Sequence, residues 1–328
     1  MLNFGIIGTS DISHKFISSA HLSKYLQLSA IFSRKLETAM SFSTNYENVK
    51  LYTEWIKFLS APIDLVYIAS PNALHFEHAK AVLKAGKHAI VEKPMVSTPQ
   101  ELAQLRQIAK ENGVFLFEAA RNYHEEAIAI IRDFLKDKTV FGANFSYAKY
   151  SSKMPDLLAG QTPNIFSTDF SGGALMDLGV YTLYTAIGLF GRPNAARYTA
   201  QQLPSSIDLN GTGQLTYDDF LVSIQAGKNI TSNLPSEIYT SEGTLTLNAC
   251  QHISSAIFTK HDGSQVVLPI RAQEDAMLEE VQAIAQAIQT GNHDLANEWL
   301  DVAESVHQTL YTMRQDAGII FKADNNEI

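Results

Sequence analysis

The chain has 328 residues, enough for two domains of ordinary size, with the apolar content of a soluble globular protein and no apolar run near the ~18 residues of a membrane span. Its single cysteine, Cys250, excludes an internal disulfide and a cysteine-based metal cluster, so a reducing cytoplasm is the simplest expected location. The net charge of −9 is unevenly placed, +2 over residues 1–120 and −11 over the rest; the first part suits an anionic ligand, and no basic stripe points to nucleic acid.

The opening stretch, Met1–Gly8, lacks a basic n-region and a cleavage pattern and reads as a first strand instead of a signal peptide. Strands are predicted over Asn3–Gly8, Leu26–Phe32, Leu65–Ala69, His88–Val91 and Val114–Phe117. Between them, apolar residues recur at the three- and four-residue spacing of amphipathic helices: Ile12, Phe16, Ile17 and Ala20; Ala73, Phe76, Ala79, Val82 and Leu83; Leu102, Leu105, Ile108 and Ala109. This alternation predicts an α/β first domain, residues 1–120, built as a doubly wound parallel sheet. Beyond Glu118 the pattern changes to a helix over His124–Leu135, a strand over Phe141–Ala148, a loop over 151–170 and a helix over Gly173–Leu189. Short strand-like segments with turn signals fill residues 196–268, and two helices follow, stopped by Gly291 and Gly318. The expectation for residues 121–328 is an α+β domain with a large, mostly antiparallel open sheet.

Four strand ends of the first domain carry candidate chemistry. After strand one, Gly8-Thr9-Ser10-Asp11-Ile12-Ser13 stands where a dinucleotide fingerprint reads G-x-G-x-x-G/A. Only the first glycine is kept. Ser13 is small enough for helix–strand packing; Ser10 occupies space that a phosphate would use, although its hydroxyl can donate to that phosphate. An ordinary helix cap is the other reading. Strand two ends in Ser33-Arg34-Lys35, where an NAD site places an acid for the ribose hydroxyls. Ser33 and Arg34 are equipped instead for a 2′-phosphate, which favours NADP(H) over NAD(H); a solvated basic helix start is the bland alternative. Ser70-Pro71-Asn72 with His75, and Glu92-Lys93-Pro94, fall at the carboxyl edge of the sheet, where open α/β folds bind ligands. Pro94 cannot continue a central strand, and the Lys93 ammonium can meet a hydroxyl or carbonyl there. His75 has a capping or packing alternative, and no histidine spacing argues for a metal.

At Ile68-Ala69-Ser70-Pro71-Asn72-Ala73-Leu74-His75, followed by Glu92-Lys93-Pro94, the chain resembles the Gfo/Idh/MocA oxidoreductases. Ser171-Gly172-Gly173-Ala174-Leu175-Met176-Asp177-Leu178-Gly179-Val180-Tyr181 is similar to that family's G-G-A-L-x-D-x-G segment, and Tyr239–Leu245 and Ala317–Phe321 are further echoes. The resemblance implies a Rossmann domain, then an α/β domain whose open sheet often forms an oligomer interface, hence a homodimer or homotetramer. It implies hydride transfer between NADP(H) and a sugar, polyol or dihydrodiol-like alcohol, with no metal, nucleic acid or membrane partner. Carried over, Lys93 matches the active-site lysine, and Asp177 and Tyr181 the substrate-domain pair. Tyrosine at position 181, where many relatives have histidine, looks like the NADP-dependent dihydrodiol and xylose dehydrogenase branch. Gly8, Thr9, Ser10, Asp11, Ile12, Ser33, Arg34, Ser70, Pro71, Asn72, His75, Glu92 and Lys93 are the expected cofactor residues. Arg121, Asn122 and Tyr123 stand near the place of a substrate arginine. In this reading Tyr181 exchanges the proton, Lys93 tunes it and holds the substrate oxygen, and Asp177 positions both, with Lys93 as the other candidate for the proton carrier. The alternatives are a non-catalytic NADP-sensing regulator on the same fold and an enzyme whose nicotinamide never leaves.

Overall fold

The computed structural model describes residues 1–271 and 273–325 and divides into two compact units. The first unit comprises Met1–Ala119 and a returning segment, Met277–Asp301. It alternates β1 (Leu2–Ile7), α1 (Asp11–Ser23), β2 (Leu26–Phe32), α2 (Leu36–Ser43), β3 (Lys50–Tyr52), α3 (Trp55–Leu59), β4 (Leu65–Ile68), α4 (His75–Lys84), β5 (His88–Glu92), α5 (Pro99–Glu111) and β6 (Leu116–Ala119). All neighbours are parallel, in the order β3-β2-β1-β4-β5-β6. The order reverses at β1 and β4, and the carboxyl ends of strands at such a switch point form the ligand crevice of doubly wound folds. Every residue of β4 is buried, as are Ala89, Ile90 and Val91 of β5, which is why these strands read as continuous apolar runs. The five expected strands are present. β3 is a sixth, three residues of exposed or intermediate burial with no apolar run to announce it.

The segment Met277–Asp301, expected in the second domain, packs with the first unit. Its helix Leu278–Thr290 buries Val281, Ile284, Ala285 and Ile288 in the same core as Phe4 of β1 and Phe16, Ile17 and Ala20 of α1. Periodicity shows that a helix has an apolar face; it does not show which core that face joins.

The second unit runs from Ala120 to Ala276 and resumes at Val302. It contains α6 (Glu126–Leu135), β7 (Val140–Ala148), α7 (Met154–Leu158) and a π-helical turn (Leu175–Gly179) leading into α8 (Val180–Phe190). Seven strands follow: β8 (Ala195–Gln202), β9 (Asp208–Thr216), β10 (Leu221–Gly227), β11 (Ser236–Thr240), β12 (Gly243–Leu247), β13 (Ala256–Lys260) and β14 (Gln265–Val267). With β7 they form one sheet ordered β14-β13-β12-β11-β7-β10-β9-β8, antiparallel except where β10 meets β7. β10 shows the period-2 pattern of a one-sided sheet: Val222 and Ile224 are buried, Leu221 and Ser223 exposed. The π turn and α8 pack on the buried face, over β7 and β10. The stretch Thr168–Phe190 is long and apolar enough to cross a membrane, yet it is largely buried here as a core helix. The expected loop over 151–170 holds α7 and two 3-10 turns, Asn164–Phe166 and Thr168–Phe170.

Truncating Ile284, which is fully buried, removes methylenes from the first unit's core. Ile284→Ala should lower stability by about 2–4 kcal/mol in guanidinium unfolding. A loss below about 0.5 kcal/mol would contradict the placement of this helix.

Candidate active site

Gly8 closes the turn after β1 with φ +108°, a region L side chains rarely adopt, and a Cβ there would strike the Ala69 carbonyl at the end of β4. Ser10 precedes α1 in extended backbone and is exposed, and its side chain makes no capping hydrogen bond. Ser13 is fully buried and donates its hydroxyl to the Gly8 carbonyl at 2.9 Å, which ties the helix to the turn. Thr9 and Ile12 are half-buried and Asp11 is exposed. At the end of β2, the Ser33 N–H donates to the Tyr52 carbonyl at 3.1 Å, and Arg34 is exposed beside it with no carboxylate at the strand end. A cradle that a side chain would fill, next to a basic strand end, fits a dinucleotide bearing an extra phosphate.

The ends of β4 and β5 are joined by His75. Its Nε2 lies 2.7 Å from the Ser70 carbonyl oxygen and its Nδ1 2.9 Å from that of Pro94. Burial lowers its pKa against the pull of both carbonyls, and a neutral ring donates to one of them. His75 therefore clamps two strand ends. His78 sits 2.9 Å from the Ser70 hydroxyl through Nδ1, with its ring 5.1 Å from that of Trp55. Burial first, then the charges of His75 and Arg34, lower its pKa to about 4. Pro71 is exposed, and Ser70 and Asn72 are half-buried at the same strand end.

Lys93 is half-buried, and the Lys93–Pro94 peptide is cis. Buried carboxylates grip the backbone on both sides of it. Glu92 takes the Tyr67 hydroxyl on Oε1 and the Lys93 N–H on Oε2 at 3.2 Å. Glu118, from β6, accepts the Met95 N–H at 3.0 Å. Glu92 thus shapes the strand end from inside the unit, where a cofactor contact was expected.

In the second unit, the motif Ser171–Tyr181 starts on another buried carboxylate. Asp208, at the start of β9, accepts the Leu175 N–H at 2.7 Å and the Tyr198 hydroxyl at 2.8 Å. Burial raises its pKa, while these donors and the Ala174 N–H oppose the rise. Gly173 has φ +113°, and a Cβ there would collide with the Asp208 carboxylate, so the second glycine of the motif is needed for both conformation and space. A carboxylate at this point also meets the positive end of the helix that follows.

That helix presents Asp177, half-buried, and Tyr181, 8% exposed. The Tyr181 ring meets Tyr147 edge-on at 5.4 Å. The Arg121 guanidinium lies 5.5 Å from the Tyr181 ring centre. Burial works against the charge on Arg121, but Tyr181, Glu125 and Tyr147 outweigh it and raise its pKa. Glu125 in turn bonds His252 Nδ1 at 2.8 Å and accepts the Ile253 N–H at 2.9 Å. Asn122 is fully buried, and its amide donates to the Tyr181 carbonyl, the Thr185 hydroxyl and the Cys250 carbonyl at 3.0, 3.1 and 3.3 Å. Through these bonds it braces α8. Tyr123 packs its ring against Gly188 and Tyr184, and Arg121 lies by the Tyr181 ring. Lys228, which no motif announced, is buried and forms an ion pair with Asp177.

Residues 2–120 match the GFO_IDH_MocA model, an oxidoreductase family with an NAD-binding Rossmann fold, and residues 140–246 match the GFO/IDH/MocA C-terminal domain. The chain is 34% identical to the uncharacterized oxidoreductase YgjR of Escherichia coli K12, over 99% of each chain. It is 31% identical to the scyllo-inositol 2-dehydrogenase (NADP(+)) IolU of Bacillus subtilis 168, again over 99% of each. Among solved structures it is similar in fold to KijD10, a 3-ketoreductase from Actinomadura kijaniata in complex with NADP and TDP-benzene. That similarity has a TM-score of 0.84 at 22% identity, over 96% of this chain and 98% of that one. Fold and relatives define a nicotinamide-dependent oxidoreductase of the doubly wound class. The chain belongs to the Gfo/Idh/MocA family.

The low pKa of His78 has a sign that can be measured. Between about 6.5 and about 4 the unfolded chain binds the proton that the folded chain refuses, so stability falls as pH falls through this window. His78→Gln should flatten that fall in unfolding midpoints taken across the window; an unchanged slope would contradict the burial of a neutral ring.

Proposed function

We propose that this oxidoreductase transfers a hydride between NADP(H) and the CH–OH or C=O carbon of a neutral polyhydroxylated or cyclic alcohol, of the sugar, polyol or dihydrodiol class. NADP(H) accepts or supplies the hydride and is held by Gly8 to Ile12, Ser33 and Arg34, with Ser70, Pro71 and Asn72 at the neighbouring strand end. The observation that carries the reading is the Arg121 guanidinium 5.5 Å from the ring centre of Tyr181, on the helix that also bears Asp177. Tyr181 is the residue of this helix that exchanges the proton in this reading, with Lys93 the other candidate carrier. Lys93, whose backbone is held by Glu92 and Glu118, is the first unit's residue for the substrate oxygen in this reading. Asp177 accepts from a neighbouring hydroxyl.

The substrate class follows from charge. In the second unit Lys228 pairs with Asp177 and Arg121 interacts with Glu125, so no cation of this group lacks a counter-charge for an anionic substrate. This supports a neutral polyol over a sugar bearing phosphates. The open face of the second unit's sheet carries a transverse row, Arg197, Gln214, Ser223, Asn144 and Glu237, paired across five strands. This polar face is the one proposed to join copies into a homodimer or homotetramer. Burial pushes the Cys250 thiol up to about 12, an inert thiol compatible with the reducing cytoplasm proposed as its location.

Two measurements test the reading. Lys93→Met should lower kcat/KM for an active polyol by roughly two to four orders of magnitude while the calorimetric Kd for NADP⁺ stays within a few-fold. Near-normal turnover in this variant would sink the assignment. Arg34→Ala should weaken NADP⁺ by about tenfold or more and leave NAD⁺ within a few-fold; equal losses for both would remove the 2′-phosphate role.

A further inference from the structure

The ion pair between Lys228 and Asp177 is lopsided. The lysine side chain is 4% exposed and the aspartate 32%, so the pair presents its carboxylate and hides its ammonium behind it. The salt bridge is made through Asp177 Oδ2, and a carboxylate fixed at one oxygen has a fixed direction for the other. The lysine is itself immobilised. It follows Gly227 at the end of β10, its N–H donates to the Leu209 carbonyl at 2.7 Å, and its carbonyl accepts the Ser151 N–H at 2.8 Å. Ser151 begins the 151–170 segment, and the preceding Lys149 N–H is bonded to the Gly227 carbonyl at 2.9 Å. One residue thus ties together the strand end of β10, the start of that segment and the acid on the site helix.

A structural account of the pair is weak on energetic grounds. Isosteric apolar residues serve packing as well as or better than a buried ion pair, because both charges must be stripped of water. The pair gains a purpose if its accessible end meets something polar. We propose that Lys228 is a positioning residue for substrate: it keeps Asp177 aimed, so that the carboxylate accepts a hydrogen bond from a substrate hydroxyl next to the reacting carbon. The proposal rests on the polyol reading of this half of the site. Lys228 does not touch the reacting atoms, and its contribution is to ground-state and transition-state binding alike, which appears in KM.

The test is steady-state kinetics with NADP⁺ and two probe alcohols, scyllo-inositol and D-xylose, on the full chain. Lys228→Met should raise KM for the active probe about tenfold or more, change kcat less than about threefold, and leave the Kd for NADP⁺ within about twofold. Lys228→Arg, which keeps the charge, should recover most of the lost affinity; a merely structural lysine would show the same thermal midpoint loss without this KM-specific rescue. Where Lys228→Met does not fold, Lys228→Gln keeps a donor, removes the charge and is read in the same way. An active wild-type enzyme whose Lys228→Met or Lys228→Gln variant keeps its KM overturns the role of Lys228 and leaves the polyol reading standing. A wild-type protein that binds NADP⁺ but oxidises neither probe overturns the polyol reading, and the role of Lys228 falls with it.

Discussion

The helix that carries Asp177 and Tyr181 begins on a buried carboxylate, and the chemistry proposed for the second unit depends on that anchor. Asp208 takes backbone N–H groups at the first turn and the Tyr198 hydroxyl, and the Gly173 position leaves room for nothing larger than hydrogen beside it. A carboxylate this deeply buried is tolerable only when its lone pairs are met by donors. Those donors are the N–H groups that a helix leaves without partners at its start. Each requirement satisfies the other, which fixes where the helix begins and therefore where its side chains point.

The first unit solves the equivalent problem in the same way. Lys93 sits on an irregular backbone just past a strand, a poor place to hold a functional side chain by regular hydrogen bonding. Glu92 and Glu118 accept N–H groups on either side of it, and His75 pins the Pro94 carbonyl to the end of β4. A little further on, Glu101 accepts the Ser97 N–H at 2.7 Å and closes a capping box with Thr98. Three buried glutamates therefore set the course of the chain from β5 into α5. Their side chains shape the backbone around the lysine, which is left to the role proposed for it.

These anchors are also where the reading of the sequence stopped short. Lys93, Asp177 and Tyr181 stand in contiguous motifs, and the strand–helix alternation of the first unit follows from periods of two and 3.6 that any short window reveals. Asp208, at the start of β9, and Lys228, just past β10, lie far along the chain from the helix they serve and in no motif, and only the fold brings them to it. Asn122 and His75 show the opposite difficulty. Both are polar residues in a conspicuous place, and a polar residue is wanted equally by a ligand and by an unpaired backbone group. The returning helix Leu278–Thr290 is amphipathic in a way that would suit either core, so its membership was not legible from its own residues.

The central claim is that these held groups move a hydride between a neutral alcohol carbon and a nicotinamide. Its most direct test is isotopic: the protein is incubated with NADP⁺ and a cyclic polyol deuterated at its carbinol carbons, and the recovered nucleotide is weighed by mass spectrometry. The account predicts deuterium on the reduced nicotinamide ring, lost when Lys93 is replaced by methionine. NADP⁺ that binds tightly yet gains no deuterium from any deuterated polyol, aldose or dihydrodiol would contradict it, and would point to a protein that senses the nucleotide without using it.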